Sequence, residues 1–347
     1  MAVLSLIADP GRYVPSEWDL VADAEGRGYW LSHFRRHWEH FERLLAGPVS
    51  PERLAAFRTD YMAGLDRLER QPDWLGRLDI LTLDQYRQDK FDEYGFPDPY
   101  ERIKRDENAA AIALYPEVIA EIDAAGAAER RAMLIRGILA GNIFDLGSFA
   151  TIDSYHADGL DFHATRQRLG PRPWLVDDLD AWVARMRGGP AYRKVLFFVD
   201  NAGADVILGC LPLARELASA GSEVVLAANT RPALNDITAE ELADVLGRLA
   251  PLDARLGEAL AARRLRVVAS GNGIPLIDLS KVSDACNAEA ADADLLILEG
   301  MGRSVESNSH VAFTCDCLKI ALLKDPGVAA RLGGRLYDIV CRFERSG

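Results

Sequence analysis

Polar residues follow directly on a strongly apolar run, and this feature points most clearly to chemistry. The apolar residues 195–199 give way to Asp200 and Asn201, with Asp205 at the end of the same turn. A buried parallel strand delivers such groups to the carboxyl edge of an open α/β sheet, where ligands bind. Because the turn supplies oxygen donors but no thiolate, and the sequence has no GxGxxG pattern, we expect a hard metal ion there rather than a dinucleotide.

A third oxygen donor follows the next apolar run. Residues 224–228 end in Asn229, and the chain then continues to Asp236. We expect the carboxyl end of this strand beside that of the first, which would bring Asp236 close to Asp200 and Asn201. Two carboxylates and an amide form a hard-donor set with room for water and a phosphoryl oxygen. The same side chains could instead cap helices or form a turn, and spacing alone leaves both interpretations open.

A glycine-rich turn follows the apolar run 295–298. It consists of Glu299, Gly300, Met301, Gly302 and Arg303. The two glycines allow the backbone to turn tightly and to approach a ligand, and the arginine can present a bidentate fork to a phosphate. A simple turn is the alternative interpretation, but several strands that end in polar or glycine-rich turns at one edge favour an active site.

Two further segments are candidates for anion binding. Lys324 follows the apolar run 320–323 and could contact the same phosphate, although a surface lysine is the simpler interpretation. Residues 270–273, with the sequence SGNG, follow the third predicted strand and could offer backbone N–H groups to an anion.

Three histidines have a spacing compatible with metal ligation. His33, His37 and His40 lie at i, i+4 and i+7 within residues 27–45, where the apolar residues recur at helical spacing. No HExxH arrangement accompanies them. We therefore predict a solvated or partner-facing edge of an amphipathic helix. His310, which stands alone, is predicted to be structural.

The composition is that of a soluble globular enzyme. The 347 residues are 49% hydrophobic and 27% charged, with a net charge of −13. This charge argues against nucleic-acid and anionic-membrane partners, and a phosphorylated substrate would need local cations. The sequence has no GxSxG or GxxxxGK[ST] motif, so a serine hydrolase and a P-loop kinase are disfavoured.

The cysteines and the N-terminus predict a cytoplasmic protein. The five cysteines show no CxxC spacing, and their odd number leaves one unpaired in any full disulfide scheme. Residues 1–13 lack the basic region of a signal peptide, and no apolar run reaches the length of about 18 residues that a membrane span needs. A homo-oligomer is compatible with the sequence.

The periodicity of the chain changes near residue 190. Helical spacing in residues 27–45, 51–69 and 117–140 predicts a mainly helical N-terminal subdomain over residues 1–189. Residues 190–347 alternate between strands and helices, so we predict an α/β domain with a doubly wound, mostly parallel sheet. Its predicted strands are residues 194–199, 223–228, 265–269, 294–298, 319–323 and 336–341. Its predicted helices begin near Ala204, Thr238, Asp253 and Val311, and Thr238 with Glu241 has the spacing of a capping box.

The motifs together resemble those of a known family. DNAGAD at 200–205, NTRPALND at 229–236 and EGMGR at 299–303 are similar to motifs of the metal-dependent damage-control phosphatases. EGMGR is typical of subfamily II, which includes the phosphatase region of pantothenate kinase 4. Residues 96–100, 107–108, 140–145 and 172–178 also resemble segments of that region, so the likeness extends over nearly the whole chain.

The resemblance implies the metal ligands, and our hypothesis of the mechanism assigns the other roles. Asp200, Asn201 and Asp236 match the family's metal ligands, and Asp205 would act as nucleophile or as acid/base unless it only caps a helix. Asn229, the EGMGR turn and Lys324 are assigned to the substrate phosphate. Two further residues, Asn142 and Asp145, would either line the pocket or serve as caps and turn residues.

The resemblance also implies an activity. Family members hydrolyse phosphomonoesters with a divalent cation, and Mn²⁺, Co²⁺, Ni²⁺ or Mg²⁺ would serve. Subfamily II implies 4′-phosphopantetheine and its oxidised forms as substrates, an activity that would limit coenzyme A synthesis. A broader sugar-phosphate phosphatase and a non-catalytic module that binds pantetheine phosphates are the alternatives.

Overall fold

Helices dominate the first 144 residues of the chain. The structure, a computed structural model, describes residues 1–46, 49–144, 162–189 and 191–346. The long helices of the first part are α1 (Ala24–Leu45), α2 (Pro51–Arg70), α3 (Ile80–Glu93), α4 (Glu101–Ala124) and α5 (Ala127–Gly141). The helical predictions for residues 27–45 and 51–69 are confirmed, whereas the segment 117–140 is divided between α4 and α5 by a break at residues 125–126.

Capping and aromatic packing explain why α1 and α2 form. The side chain of Asp23 accepts a hydrogen bond from Gly26 N at the start of α1. Ser50 does the same for Arg53 N at the start of α2, where a proline occupies the first turn. The two helices bury large aromatic side chains in one apolar cluster, and each such side chain contributes about 1.5–3 kcal/mol to the free energy of unfolding.

The second part of the chain forms one sheet. Its strands are β1 (Val176–Asp177), β2 (Lys194–Phe198), β3 (Glu223–Ala228), β4 (Leu265–Ala269), β5 (Leu295–Glu299), β6 (Asp316–Leu322) and β7 (Ile339–Glu344). Their order in the sheet is β1-β7-β6-β5-β2-β3-β4. Neighbouring strands pair in parallel except β6 and β7, which pair antiparallel. The predicted mostly parallel sheet is confirmed.

Both faces of the sheet are covered, as a doubly wound fold requires. Val195 and Phe197 of β2 belong to a core cluster that includes residues of α4 and α5. Leu196 and Phe198 point to the other face, where they join N-terminal residues such as Leu4. The remaining α-helices of the described chain are α6 (Phe162–Arg168), α7 (Leu179–Gly188), α8 (Leu211–Ser219), α9 (Ala239–Leu249), α10 (Ala254–Ala261), α11 (Asp284–Ala290) and α12 (Pro326–Arg331), and a π-helical turn, Asp205–Cys210, leads into α8.

Some predicted elements are displaced or wrong. The chain forms no helix at Val311, because Phe313 makes an antiparallel bridge with Ile7 and Ala8 N donates to Ala312 O. A π-helical turn, Gly302–Glu306, follows β5 instead. Strand β7 begins three residues later than predicted, at Ile339, because the preceding residues form a turn in which Tyr337 has a φ of 67°.

The capping box of α9 is confirmed. Thr238 Oγ1 accepts from Glu241 N at 3.2 Å, and Glu241 Oε2 accepts from Thr238 N at 2.8 Å. Strand β1 precedes residue 190 and nevertheless pairs with β7, and the division of the chain at that residue stays a prediction. All five cysteines are buried and unpaired. None of the helices described here has the length and apolar character needed to cross a membrane.

Candidate active site

The three predicted metal ligands meet at the carboxyl edge of the sheet. Because β2 and β3 pair in parallel, the residues that follow them emerge side by side. The backbone of Asp200 accepts from Ile237 N at 3.0 Å, and Ala202 N donates to Asn235 O at 2.9 Å. These bonds hold Asp200 and Asn201 next to Asp236, and all three side chains are buried. The predicted proximity is therefore observed, while their role as metal ligands stays a prediction.

A buried arginine joins the two aspartates of this trio. Arg303, only 1% exposed, donates from Nη1 to Asp200 Oδ1 and from Nη2 to Asp236 Oδ2, the latter at 2.7 Å. Nη2 also donates to Asn229 Oδ1 at 3.2 Å, and Asn229 Nδ2 donates to Asp236 Oδ2 at 2.9 Å. Two residues predicted to bind phosphate thus contact the carboxylates of the trio.

Glycines bring the EGMGR turn against the trio. Gly300 has a φ of 94°, and a β carbon on it would lie 1.9 Å from Asp200 Oδ2. A β carbon on Gly302 would lie 2.7 Å from Pro275 O. Any larger residue at either position would collide with these neighbours, so both glycines are needed for close approach. Met301 lies between them, and its Sδ accepts from Lys324 N at 3.2 Å.

Asp205, Asn142 and Glu299 form a second layer of polar side chains below the trio. Its Oδ2 accepts from Asn201 Nδ2 at 2.8 Å, from Asn201 N at 3.2 Å and from Asn142 Nδ2 at 2.9 Å. The same Asn142 amide donates to Glu299 Oε1 at 3.0 Å, and the Cys210 thiol faces Glu299 Oε2 at 3.6 Å. Asp205 Oδ1 is buried and has no hydrogen-bond partner among the described residues. Its bonds therefore orient one oxygen and leave the other available.

Burial raises the pKa of both acids in this layer. The pKa of Asp205 rises to about 6, first because the side chain is removed from water and second because Asp200 is negatively charged. The pKa of Glu299 rises well above its usual value for the same first reason, with further contributions from Asp205 and Asp200. The positive charge of Lys324 acts in the opposite direction on both acids.

Lys324 is an interior residue. It is 3% exposed, and its Nζ donates to Asn142 O at 3.0 Å. The surface interpretation of this lysine is therefore wrong. The apolar run before it, which ends β6, carries the side chain directly to the site edge.

Helices α4 and α5 pack tightly on the DNAGAD turn. Gly203, with a φ of 74°, donates from its backbone N to Asn108 Oδ1 at 2.7 Å. A β carbon on Gly141 would lie 2.7 Å from the Cα of Asp205. These contacts allow Asn142, which directly follows α5, to reach both buried acids.

A cavity of about 290 Å³ opens on the trio. Asp200, Asn201, Asp236 and Lys324 border it on the side of the sheet. Helices α1 and α3 form the opposite wall with Tyr29, Trp30, His33, Phe34, Arg36, His37, Ile80, Asp84 and Arg87. The helical first part of the chain therefore packs against the site edge.

The prediction of a solvated histidine edge on α1 is wrong. His37 and His40 are buried, and His33 lies 4.6 Å from His37 between ring centroids. His33 and His37 face the cavity, where Asp325 Oδ2 lies 3.8 Å from His33 Nδ1. The aromatic residues around the histidines indicated an apolar face, but the sequence does not show that α3 and the sheet edge cover it.

In the predicted anion-binding segment 270–273, two backbone N–H groups already have partners. Gly271 N donates to Thr230 Oγ1 at 2.8 Å, beyond the end of β3, and Asn272 N donates to Ser270 Oγ at 3.2 Å within the turn. The predicted pocket residue Asp145 lies outside the described residues.

The donor set of the trio fits a divalent cation. Asp200, Asn201 and Asp236 offer carboxylate and amide oxygens as ligand atoms. The two carboxylates already bind a positive charge, because the guanidinium of Arg303 lies between them. Asp205, Cys210 and Glu299 also bring possible ligand atoms within 4.8 Å of one another. Burial raises the pKa of the Cys210 thiol, however, and both Glu299 oxygens have partners. We therefore favour the oxygen-donor trio.

Comparison with known proteins supplies independent evidence. A family model for the damage-control phosphatase ARMT1-like domain matches residues 57–340. Damage-control phosphatase At2g17340 of Arabidopsis thaliana is 42% identical over 90% of this chain and 87% of its own length. The 4′-phosphopantetheine phosphatase of Mus musculus is 35% identical over 98% of this chain.

This chain spans only part of some relatives. It covers 48% of the mouse protein and 42% of Pantothenate kinase 2 of Arabidopsis thaliana, to which it is 40% identical. The fold is similar to that of a DUF89 family protein from Pyrococcus horikoshii, with a TM-score of 0.63 and 17% identity over 91% of this chain and 97% of that one.

Proposed function

This chain belongs to the family of damage-control phosphatases with an ARMT1-like domain, and from that premise we propose that it hydrolyses phosphomonoesters with a divalent cation. The observation that carries the proposal is the meeting of Asp200, Asn201 and Asp236 with Lys324 on one cavity. The family membership inferred from the sequence motifs is confirmed. The activity and the metal dependence are our proposals.

Each group in the site has a role in this proposal. Asp200, Asn201 and Asp236 would hold the cation, which would offset the negative charge of the transferring phosphoryl group. Lys324 adds a second positive charge at the cavity and binds the phosphate oxygens. The metal is Mn²⁺, Co²⁺, Ni²⁺ or Mg²⁺, of which Mn²⁺ and Mg²⁺ suit oxygen donors best.

Asp205 is proposed to move the proton. Asn142 and Asn201 fix its Oδ2, so that Oδ1 has a defined position and no competing partner among the described residues. A carboxyl group with a pKa of about 6 can exchange a proton near neutral pH. We assign to Oδ1 the proton that leaves the attacking water and is returned to the leaving oxygen.

The proposed substrate is 4′-phosphopantetheine, including its oxidised forms. The mouse relative bears the name 4′-phosphopantetheine phosphatase, and this chain carries the EGMGR motif. The cavity continues past the trio to an aromatic wall on α1, which offers apolar surface to an extended organic group. Hydrolysis would withdraw an intermediate from coenzyme A synthesis.

A substrate panel tests this proposal. Phosphate release is measured with Mn²⁺ or Co²⁺ on 4′-phosphopantetheine, its sulfonate and fructose 1-phosphate, with an EDTA-treated sample as the control. We expect kcat/KM to be highest for a pantetheine phosphate. Preference for fructose 1-phosphate would favour a sugar-phosphate phosphatase, and no release from any of them would favour a binding module.

A further inference from the structure

Both terminal nitrogens of the Arg303 guanidinium are engaged by the walls of the site. Nη1 donates to Asp200 Oδ1 and to Pro275 O, and Nη2 donates to Asp236 Oδ2 and Asn229 Oδ1. These four hydrogen bonds use all the N–H groups of the two terminal nitrogens. None of these four donors is left for a substrate phosphate in this arrangement.

We propose that Arg303 is a positioning residue, an internal cation that holds Asp200 and Asp236 in place when no metal is bound. This inference rests on the proposed metal site. It assigns phosphate binding to Lys324. Arg303 acts before either the metal or the substrate binds.

Electrostatics explains why such a cation is needed. Asp200 and Asp236 are buried at the same edge, and two carboxylates close together in a medium of low polarity repel each other. A planar guanidinium can contact one carboxylate with each terminal nitrogen, which an ammonium group cannot do with the same fixed geometry. The bond to Pro275 O orients the guanidinium independently of the aspartates.

The EGMGR turn is shaped to deliver this arginine. The backbone at Gly300 approaches Asp200 so closely that a β carbon would collide with its carboxylate. A β carbon on Gly302 would likewise collide with Pro275 O, the same carbonyl that accepts from Arg303. The π-helical turn that begins at Gly302 then places the arginine between the carboxylates. We therefore interpret the motif as a clamp on the metal ligands.

The test measures melting temperature without substrate, in Arg303→Met, with and without saturating Mn²⁺. Without metal, the variant lacks the guanidinium that contacts both carboxylates, and we expect its melting temperature to fall by about 5 °C or more. Mn²⁺ can replace the missing charge, so we expect the difference from the wild type to shrink when it is present. Adding Asp236→Asn to Arg303→Met removes the repulsion between the two carboxylates. Without metal, the double variant should therefore melt at a higher temperature than Arg303→Met alone.

A second buried arginine provides the matched control. Arg215 is also buried between two aspartates, Asp123 and Asp253, and it lies on α8 rather than in the site. Arg215→Met should lower the melting temperature equally with and without Mn²⁺.

Three outcomes would overturn the proposal. In the first, metal-free Arg303→Met melts like the wild type but binds inorganic phosphate more weakly, as expected of a phosphate ligand. In the second, its loss of stability is the same with and without Mn²⁺. The third applies if the variant does not fold without metal: neither Mn²⁺ nor the added Asp236→Asn then restores folding. Restored folding by either one supports the proposal. None of these readouts depends on phosphatase activity, so an inactive protein would refute the proposed function and leave this test valid.

Discussion

Single side chains in the site derive their chemistry from burial. Asp205 is an ordinary aspartate in sequence, yet removal from water and the neighbouring charge of Asp200 raise its pKa to about 6. Two amides, from Asn142 and Asn201, hold one of its oxygens. The structure thereby turns a helix-cap candidate into a group that can exchange protons near neutral pH.

Asp205→Asn tests this role. The amide keeps the size of the side chain but cannot take up or release the proton, so we expect kcat to fall by about 10²–10⁴-fold. Isothermal titration with Mn²⁺ should give an affinity close to that of the wild type, since Asp205 is not one of the proposed ligands. A variant that retains kcat within a few-fold would exclude proton transfer by this residue.

His33 makes the stability of the protein depend on pH. Burial lowers its pKa to about 4, and Asp325 opposes that shift, while Arg36 and Arg87 add to it. The folded state therefore keeps His33 neutral, whereas the unfolded chain takes up a proton below about pH 6.5. Stability that is fully present above pH 6.5 is lost as the pH falls toward 4, by up to ~1.4 kcal/mol per pH unit.

Urea unfolding of His33→Gln and the wild type between pH 4 and 7.5 measures this dependence. We expect the free energy of unfolding of the wild type to fall more steeply than that of the variant below pH 6.5. Parallel curves for the two proteins would show that His33 titrates alike in the folded and unfolded chain.

At the scale of elements, strands were easier to predict than the turns between them. Apolar runs bounded by polar residues indicated β2, β3, β4 and β5 almost to the residue. The turns depend on partners distant in sequence. Residues 311–313 pair with the N-terminal segment instead of forming a helix, and no local sequence pattern predicts that pairing.

The capping box of α9 stabilises the element that follows Asp236. Thr238→Ala removes the acceptor for Glu241 N, so we expect the free energy of unfolding to fall by about 1 kcal/mol. Thr59→Ala is the matched control, because Thr59 is exposed within α2 and its hydroxyl only donates to Ala55 O of its own helix. Equal losses in the two variants, measured by urea denaturation, would contradict a specific capping contribution.

At the scale of the whole molecule, the cavity exists because two parts of the chain meet. The sheet supplies the trio and Lys324, while α1 and α3 supply the opposite wall. The motifs at the strand ends predicted the first half of this site. The second half could not be predicted, because periodicity shows which helix face is apolar but not which surface covers it. The Arg303 bridge escaped prediction for the same reason.

The rim of the cavity provides a test of substrate length. Leu336 is 37% exposed and lines the cavity. Leu336→Ala should raise KM for 4′-phosphopantetheine about fivefold, the equivalent of roughly 1 kcal/mol of apolar contact, and leave KM for fructose 1-phosphate unchanged. Leu252→Ala removes a more exposed leucine that does not line this cavity and should alter neither value. A similar change for both substrates in Leu336→Ala would contradict an extended binding mode.

The central claim is that Asp200, Asn201 and Asp236 hold the cation on which hydrolysis depends. Its most direct test is phosphate release from 4′-phosphopantetheine by EDTA-stripped protein as Mn²⁺ is titrated back, in the wild type and in Asp200→Ala. We predict that the stripped wild type is inactive and recovers with Mn²⁺, whereas Asp200→Ala, folded by circular dichroism, does not recover. Full activity of the stripped wild type, or recovery of Asp200→Ala to the wild-type rate, would contradict this account.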